Sequence, residues 1–168
     1  VNPLFQRFVA ACTGRSELYP LADPLAGLCL NVVPPGRSHP WHFDTNECAV
    51  SLLTQAPESG GTFEYCPAIR SEADEHFADV RGVLDGVRDD LVRCLTPQPG
   101  DLQLFMGRFS LHRVGTVGGD RARHSAIFAY AGQPGVVGSM TRTRQLFGRA
   151  RPEHVAHGAT LRRDQLLD

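Results

Sequence analysis

The strongest constraint on this chain is its punctuation. From Ala26 onward, apolar runs of strand length are cut again and again by glycine and proline. GLCLNVV stops at PPG, WHFDTNECAVSLLTQ stops at APESGG, and TFEYCP follows directly. The texture resumes in RCLTPQPGDLQLFMGRFSLHRVGTV and, after a GGD turn, in RARHSAIFAYAG. The 17 Gly and 12 Pro suit tight turns and would break long helices. Six or so short strands joined by hairpin-like turns predict a mainly β fold, an antiparallel sandwich or squashed barrel able to hold a small ligand.

Two helices are expected outside that pattern. Asn2 as N-cap, Pro3 at the first helical position, apolar Leu4, Phe5, Phe8, Val9 and Cys12, and Gly14 as terminator describe a short amphipathic helix. Ser71 with Asp74 resembles a capping box, and Phe77, Val80, Val83, Leu84, Val87 and Leu91 recur at helical spacing, which predicts an inserted helix. From Thr141 onward the chain carries six of its Arg and little apolar periodicity, and reads as a solvated or partly ordered tail. One domain is expected over 1–168, with its core at about 23–148 and a tail at 149–168. The chain opens on Val rather than Met, so an amino-terminal truncation is expected.

Composition removes several classes of function. A net charge of −1 provides no field to hold nucleic acid or an anionic membrane. All 17 basic residues are Arg, which excludes a Schiff-base lysine and an intact phosphate-loop lysine. Five Cys, at 12, 29, 48, 66 and 94, form no CxxC, so neither a disulfide framework nor a thiolate zinc site is indicated. A reducing, cytoplasmic location is the expectation. No apolar run approaches the roughly 20 residues that span a bilayer.

The informative segment is Trp41-His42-Phe43-Asp44. In a strand His42 and Asp44 point to one side, about 6–7 Å apart along the chain, a spacing that suits two ligands of one ion. His112, in the later β segment, is the candidate third ligand. Two imidazoles and one carboxylate on one face of a metal, with positions left open, are the ligand pattern of non-haem Fe(II) oxygenases. Arg123-His124-Ser125 follows eleven residues after His112 across a turn, and a hairpin would set Arg123 and Ser125 beside the metal-bearing strand. A guanidinium with an adjacent hydroxyl suits capture of a carboxylate.

WHFD, His112 some 70 residues later and the Arg123-x-Ser125 pair resemble the Fe(II)/2-oxoglutarate-dependent dioxygenases. LNVVPPGRSHPWHFDTNE, GGTFEYCPAIRS and PGDLQLFMGRFSLHRVGTV are similar to a bacterial subgroup that includes free-amino-acid halogenases and related hydroxylases. The resemblance implies a double-stranded β-helix, or jelly roll, with flanking helices. It implies His42, Asp44 and His112 as Fe(II) ligands and as the catalytic centre. It also implies Arg123 as partner of the 2-oxoglutarate C5 carboxylate, with Ser125 assisting. Asn31 is a candidate for reaching the bound cosubstrate, Arg121 competes with Arg123 from the turn, His39 reads as surface and His124 as structural. In the halogenases a small residue replaces the carboxylate, so Asp44 favours hydroxylation, with conversion of 2-oxoglutarate and O₂ to succinate and CO₂.

A free amino acid or derivative is the substrate expected by analogy, with Asn46, Glu47, Glu64, Tyr65, Arg37, Arg70 and Arg108 as candidate contacts. The alternatives are a zinc hydrolase using the same three ligands and a jelly-roll binding protein without turnover. The sequence leaves a homo-oligomer open and points to no nucleic-acid or membrane partner.

Overall fold

The computed structural model describes residues 2–156 and Leu166. In chain order the elements are α1 (Pro3–Cys12), β1 (Tyr19–Pro20), β2 (Leu28–Val33), β3 (His39–His42), β4 (Cys48–Gln55), β5 (Ser59–Gly60) and β6 (Phe63–Cys66). They continue with α2 (Phe77–Leu84), β7 (Arg93–Leu95), β8 (Leu102–Phe105), β9 (Leu111–Val114), β10 (Val117–Gly118), β11 (Arg123–Ala131), α3 (Met140–Phe147) and α4 (Pro152–Ala156). The major sheet runs β1-β11-β4-β8, with β2 also on β11, and the minor sheet runs β3-β9-β6-β7. Every pairing is antiparallel. Together they form the expected jelly roll. Among the described residues no helix is long and apolar enough to cross a membrane.

Strand alternation sorts β11 into two jobs. Arg123, Ser125, Ile127 and Ala129 turn into a cavity between the sheets, while Tyr130 packs under α1 with Val9, Leu18, Cys48 and Val50. Helix α1 starts as the sequence predicts: Asn2 Oδ1 accepts from the Leu4 N–H at 2.8 Å and Pro3 opens the first turn. On the minor sheet, Val83 of α2 packs with Cys66, Ile69 and Leu111, beside Trp41 and Phe43.

Four expectations need correction. WHFDTNECAVSLLTQ is two strands rather than one: β3 ends at His42, and Asp44 lies in the connection to β4, tied by its N–H to Gly107 O at 3.0 Å. The Ser71/Asp74 capping box does not form, because those two residues bridge each other and α2 begins after His76, at φ +50. That helix stops at Leu84, where Gly86 turns the chain at φ +71, so Val87 and Leu91 fall outside it. The strand after β9 does not return as a hairpin beside it. β10 pairs with β5, and β11 crosses into the major sheet between β2 and β4.

The Arg-rich stretch from Thr141, expected to be solvated or partly ordered, opens with a helix. Residues 140–147 form α3, capped by Ser139 Oγ accepting from the Arg142 N–H at 3.3 Å and ended by Gly148 at φ +65. A buried latch holds it: Asp23 Oδ2 accepts from the Gly138 N–H at 2.9 Å and from His154 Nε2 at 3.1 Å, while Oδ1 caps the Leu25 and Ala26 N–H groups. His154 Nδ1 stands 2.9 Å from Arg151 N and 3.2 Å from Arg151 O, which fixes the ring so that Nε2 faces Asp23. Burial alone would push the Asp23 carboxyl up, but these donors hold it below the usual carboxylate range. Most of the predicted tail beyond α4 lies outside the described residues.

Candidate metal centre and its cavity

His42 and His112 meet because β3 and β9 are paired neighbours with these residues in register. Their rings stand 4.1 Å apart, centroid to centroid. Asp44 reaches the same point from its loop, with Oδ1 3.9 Å from His42 Nε2 and 3.7 Å from His112 Nε2. One donor atom from each lies within 4.8 Å of the others. Two donors at ~2.1 Å from one ion stand at most ~4.2 Å apart, so both measured separations fit a shared ion.

The two imidazoles are also in the required protonation state. His42 Nδ1 donates to Pro40 O at 2.8 Å and His112 Nδ1 to Ser110 O at 2.9 Å. A carbonyl can only accept, so each Nδ1 holds the proton and each Nε2 presents its lone pair toward Asp44. Burial pulls both imidazoles down to about 4, the neighbouring His112 adding to the effect on His42. Burial also raises the Asp44 carboxyl, the cost of holding an anion in a dry pocket, and a cation would offset it. Gly107 makes room: a β-carbon there would stand 1.9 Å from Asp44 Oδ2.

A cavity of about 410 Å³ opens from this point between the sheets, lined by both His, Asp44, Arg123, Ser125 and Asn31 among others. Arg123 is 4% exposed and donates from Nη1 to Ser125 Oγ at 2.7 Å. No carboxylate pairs with it among the described residues. Burial pulls the guanidinium below its usual range without a counter-charge to compensate. Asn31 lies opposite Ser125 in the β2–β11 register and stands 3.3 Å, Nδ2 to Nδ1, from His39.

His39 departs from expectation. It lines the cavity, packs tilted against His42 at 4.2 Å between ring centroids, and burial lowers its pKa. Arg121 is exposed, as the turn position suggested. Of the seven expected substrate contacts only Asn46 lines the cavity. Glu64 pairs with Arg113, Glu47 with Arg15, and Arg70 with Glu75. Sequence reasoning missed Gly107, for which no local signal exists. It also missed Arg142, Leu146 and Phe147 of α3, which line the cavity and whose spacing is that of one helix face.

Residues 28–145 match the family model for Halogenase D. No curated protein matches the chain. Among solved structures, similarity extends to a 2OG-Fe(II) oxygenase family oxidoreductase from Burkholderia pseudomallei, at 18% identity and TM-score 0.54, over 78% of this chain and 52% of that one. AviO1 from Streptomyces viridochromogenes Tue57 is similar at 20% identity and TM-score 0.55, over 80% of this chain and 59% of that one. EvdMO1 is similar at 24% identity and TM-score 0.58, over 79% of this chain and 31% of that one. The chain thus spans about a third to three fifths of the length of these structures. With the family match running from β2 into α3, over more than half of its length, the chain belongs to the halogenase D family, and it shares its fold with a protein of the 2OG-Fe(II) oxygenase family.

Proposed function

We propose that this chain is an Fe(II)- and 2-oxoglutarate-dependent oxygenase that hydroxylates a small substrate, an amino acid or a derivative of one. His42, Asp44 and His112 are read as the iron ligands, Arg123 with Ser125 as the anchor of the 2-oxoglutarate C5 carboxylate, and Asn31 as a further cosubstrate contact. The observation that carries this reading is Arg123, a buried guanidinium with Ser125 but, among the described residues, no carboxylate beside it, in the same cavity as the three convergent donors. An uncompensated buried cation calls for an anion.

Iron with 2-oxoglutarate and O₂ supplies oxidation of an unactivated C–H bond coupled to formation of succinate and CO₂. The protein's part is positioning. Pro40 O and Ser110 O fix the two imidazole tautomers, and Gly107 leaves Asp44 its place. Phe63 and Phe105 pack against His112, at 5.7 and 4.9 Å between ring centroids, and keep water from that side. The family name points to halogenation, but Asp44 supplies the carboxylate whose absence in halogenases leaves room for a halide, so hydroxylation is the reading favoured here.

Anaerobic addition of Fe(II) and then 2-oxoglutarate should produce the weak visible charge-transfer band of a bidentate complex. Arg123→Gln should raise the 2-oxoglutarate dissociation constant by roughly 10- to 100-fold, the loss of a charged hydrogen-bond partner. Succinate release should require both additions and vanish in Asp44→Ala. Absence of the band, with zinc retained in the purified protein, would favour the hydrolase alternative.

A further inference from the structure

We propose that Arg142, on α3, is the anion-binding residue for the primary substrate, and that this substrate is a small organic anion recognised without need of an ammonium group. The inference rests on the oxygenase reading above and names the chemistry of its second ligand.

The argument begins with an unpaired donor. Arg142 lines the cavity, and its Nε is buried with no hydrogen-bond partner; its Nη1 makes only a long contact of 3.4 Å to Gln145 Oε1. A buried guanidinium N–H left unsatisfied is costly, and an oxyanion is its natural partner because the guanidinium edge matches a carboxylate or phosphate in two-point contact. The helix is placed to hold the group steady. Thr143, the next residue, is buried against the Asp23 latch, and Leu146 and Phe147 share the cavity-facing side.

Arg142 also serves a different place from Arg123. The loop that carries Asp23 bonds Ala129 on both sides, through the Leu21 N–H to Ala129 O and the Ala129 N–H to Gly27 O. Helix α3 therefore starts at the Ala129 end of β11, about 20 Å along the strand from Arg123. The cavity has a basic group toward each end. Its sole acidic side chain among the described lining residues is Asp44, already committed to the metal site. A cationic amine finds no free carboxylate there. Two anions, one at each guanidinium, complement the charge.

The test uses the protein loaded anaerobically with Fe(II) and 2-oxoglutarate, titrated calorimetrically with four probes of equal chain length: pentanoate, pentyl phosphate, norvaline and pentylamine. Pentanoate or pentyl phosphate should bind, the tighter of the two identifying the anion, and pentylamine should not. Norvaline should match pentanoate within about threefold, since its ammonium gains no ionic partner. Arg142→Gln should weaken the anionic probe roughly 10- to 100-fold, with Arg142→Lys partly restoring it. The charge-transfer band and the 2-oxoglutarate midpoint should be unchanged in both variants. Binding of pentylamine in preference to the acids, unchanged anion affinity in Arg142→Gln, or an equal loss of 2-oxoglutarate affinity would overturn the inference while leaving the oxygenase reading intact. Absence of the band in the wild-type protein would instead remove that reading, and this one with it.

Discussion

Replacing Gly107 by alanine should detach Asp44 from the two imidazoles while leaving the fold standing. The added β-carbon would lie 1.9 Å from Asp44 Oδ2, 2.5 Å from Cγ and 2.9 Å from Cβ. Ordinary contact needs about 3.5 Å, so the carboxylate must retreat by roughly 1.5 Å. The backbone cannot yield readily, because the Asp44 N–H is bonded to Gly107 O itself at 3.0 Å. Oδ1 already stands 3.7 and 3.9 Å from the two Nε2 atoms, and a further retreat takes it out of reach of a shared ion. Second-layer changes of this kind cost about 10- to 100-fold in metal affinity. The cost to folding is smaller, about 1–3 kcal/mol of overpacking. Anaerobic Fe(II) titration against a competing chelator would measure the first, and urea unfolding of the metal-free protein the second. Asp44→Ala is the control, with the same loss of affinity and no crowding. Iron affinity within about twofold of wild type in Gly107→Ala would refute the reasoning, because a displaced carboxylate cannot be a ligand.

Three further outcomes follow from the geometry. His154→Ala should destabilise the protein by about 1–3 kcal/mol by removing the side-chain donor of buried Asp23, and should speed amide exchange across 140–147; unchanged exchange there would mean that α3 does not depend on the latch. In the metal-free protein His112 is held down to about 4 by burial, against about 6.5 unfolded, so the unfolded chain takes up the proton first. The share of stability from His112 should therefore be fully present above about pH 6.5 and fall by about 3 kcal/mol as pH drops toward 4, with His42 adding in the same direction, and urea midpoints that stay flat across that window would contradict the assignment. Leu18→Ala, at a position 1% exposed beneath α1, should cost about 2–5 kcal/mol in urea unfolding, and a loss under about 1 kcal/mol would mean that the helix does not seal the core.

Much of the site was legible because its signals are local. The residue types at 42, 44 and 112 advertise metal chemistry whatever surrounds them, and the parity of Arg123 and Ser125 on one strand face follows from backbone geometry alone. The start of α1 was legible for the same reason, since a cap, a proline and an apolar face lie within ten residues. Where the reading went astray, distant chain segments decided the outcome. The bonding of Asp44 to Gly107 breaks an apparently continuous strand, and the crossing of β11 into the other sheet brings Arg123 into the cavity of the three candidate ligands from the facing sheet rather than along a hairpin.

The chain's own order of residues thus determined a turn-punctuated β protein with two imidazoles, a carboxylate and a guanidinium suited to one cavity. Tertiary structure alone decided that position 107 must lack a side chain, that His39 packs against His42, and that an arginine from an apparent tail becomes part of the wall. The physical reason is range. Alternation, capping and turn chemistry act over a few residues, whereas close approach and burial depend on segments 60 to 130 positions apart, as in Asp44 with Gly107 or Asp23 with His154.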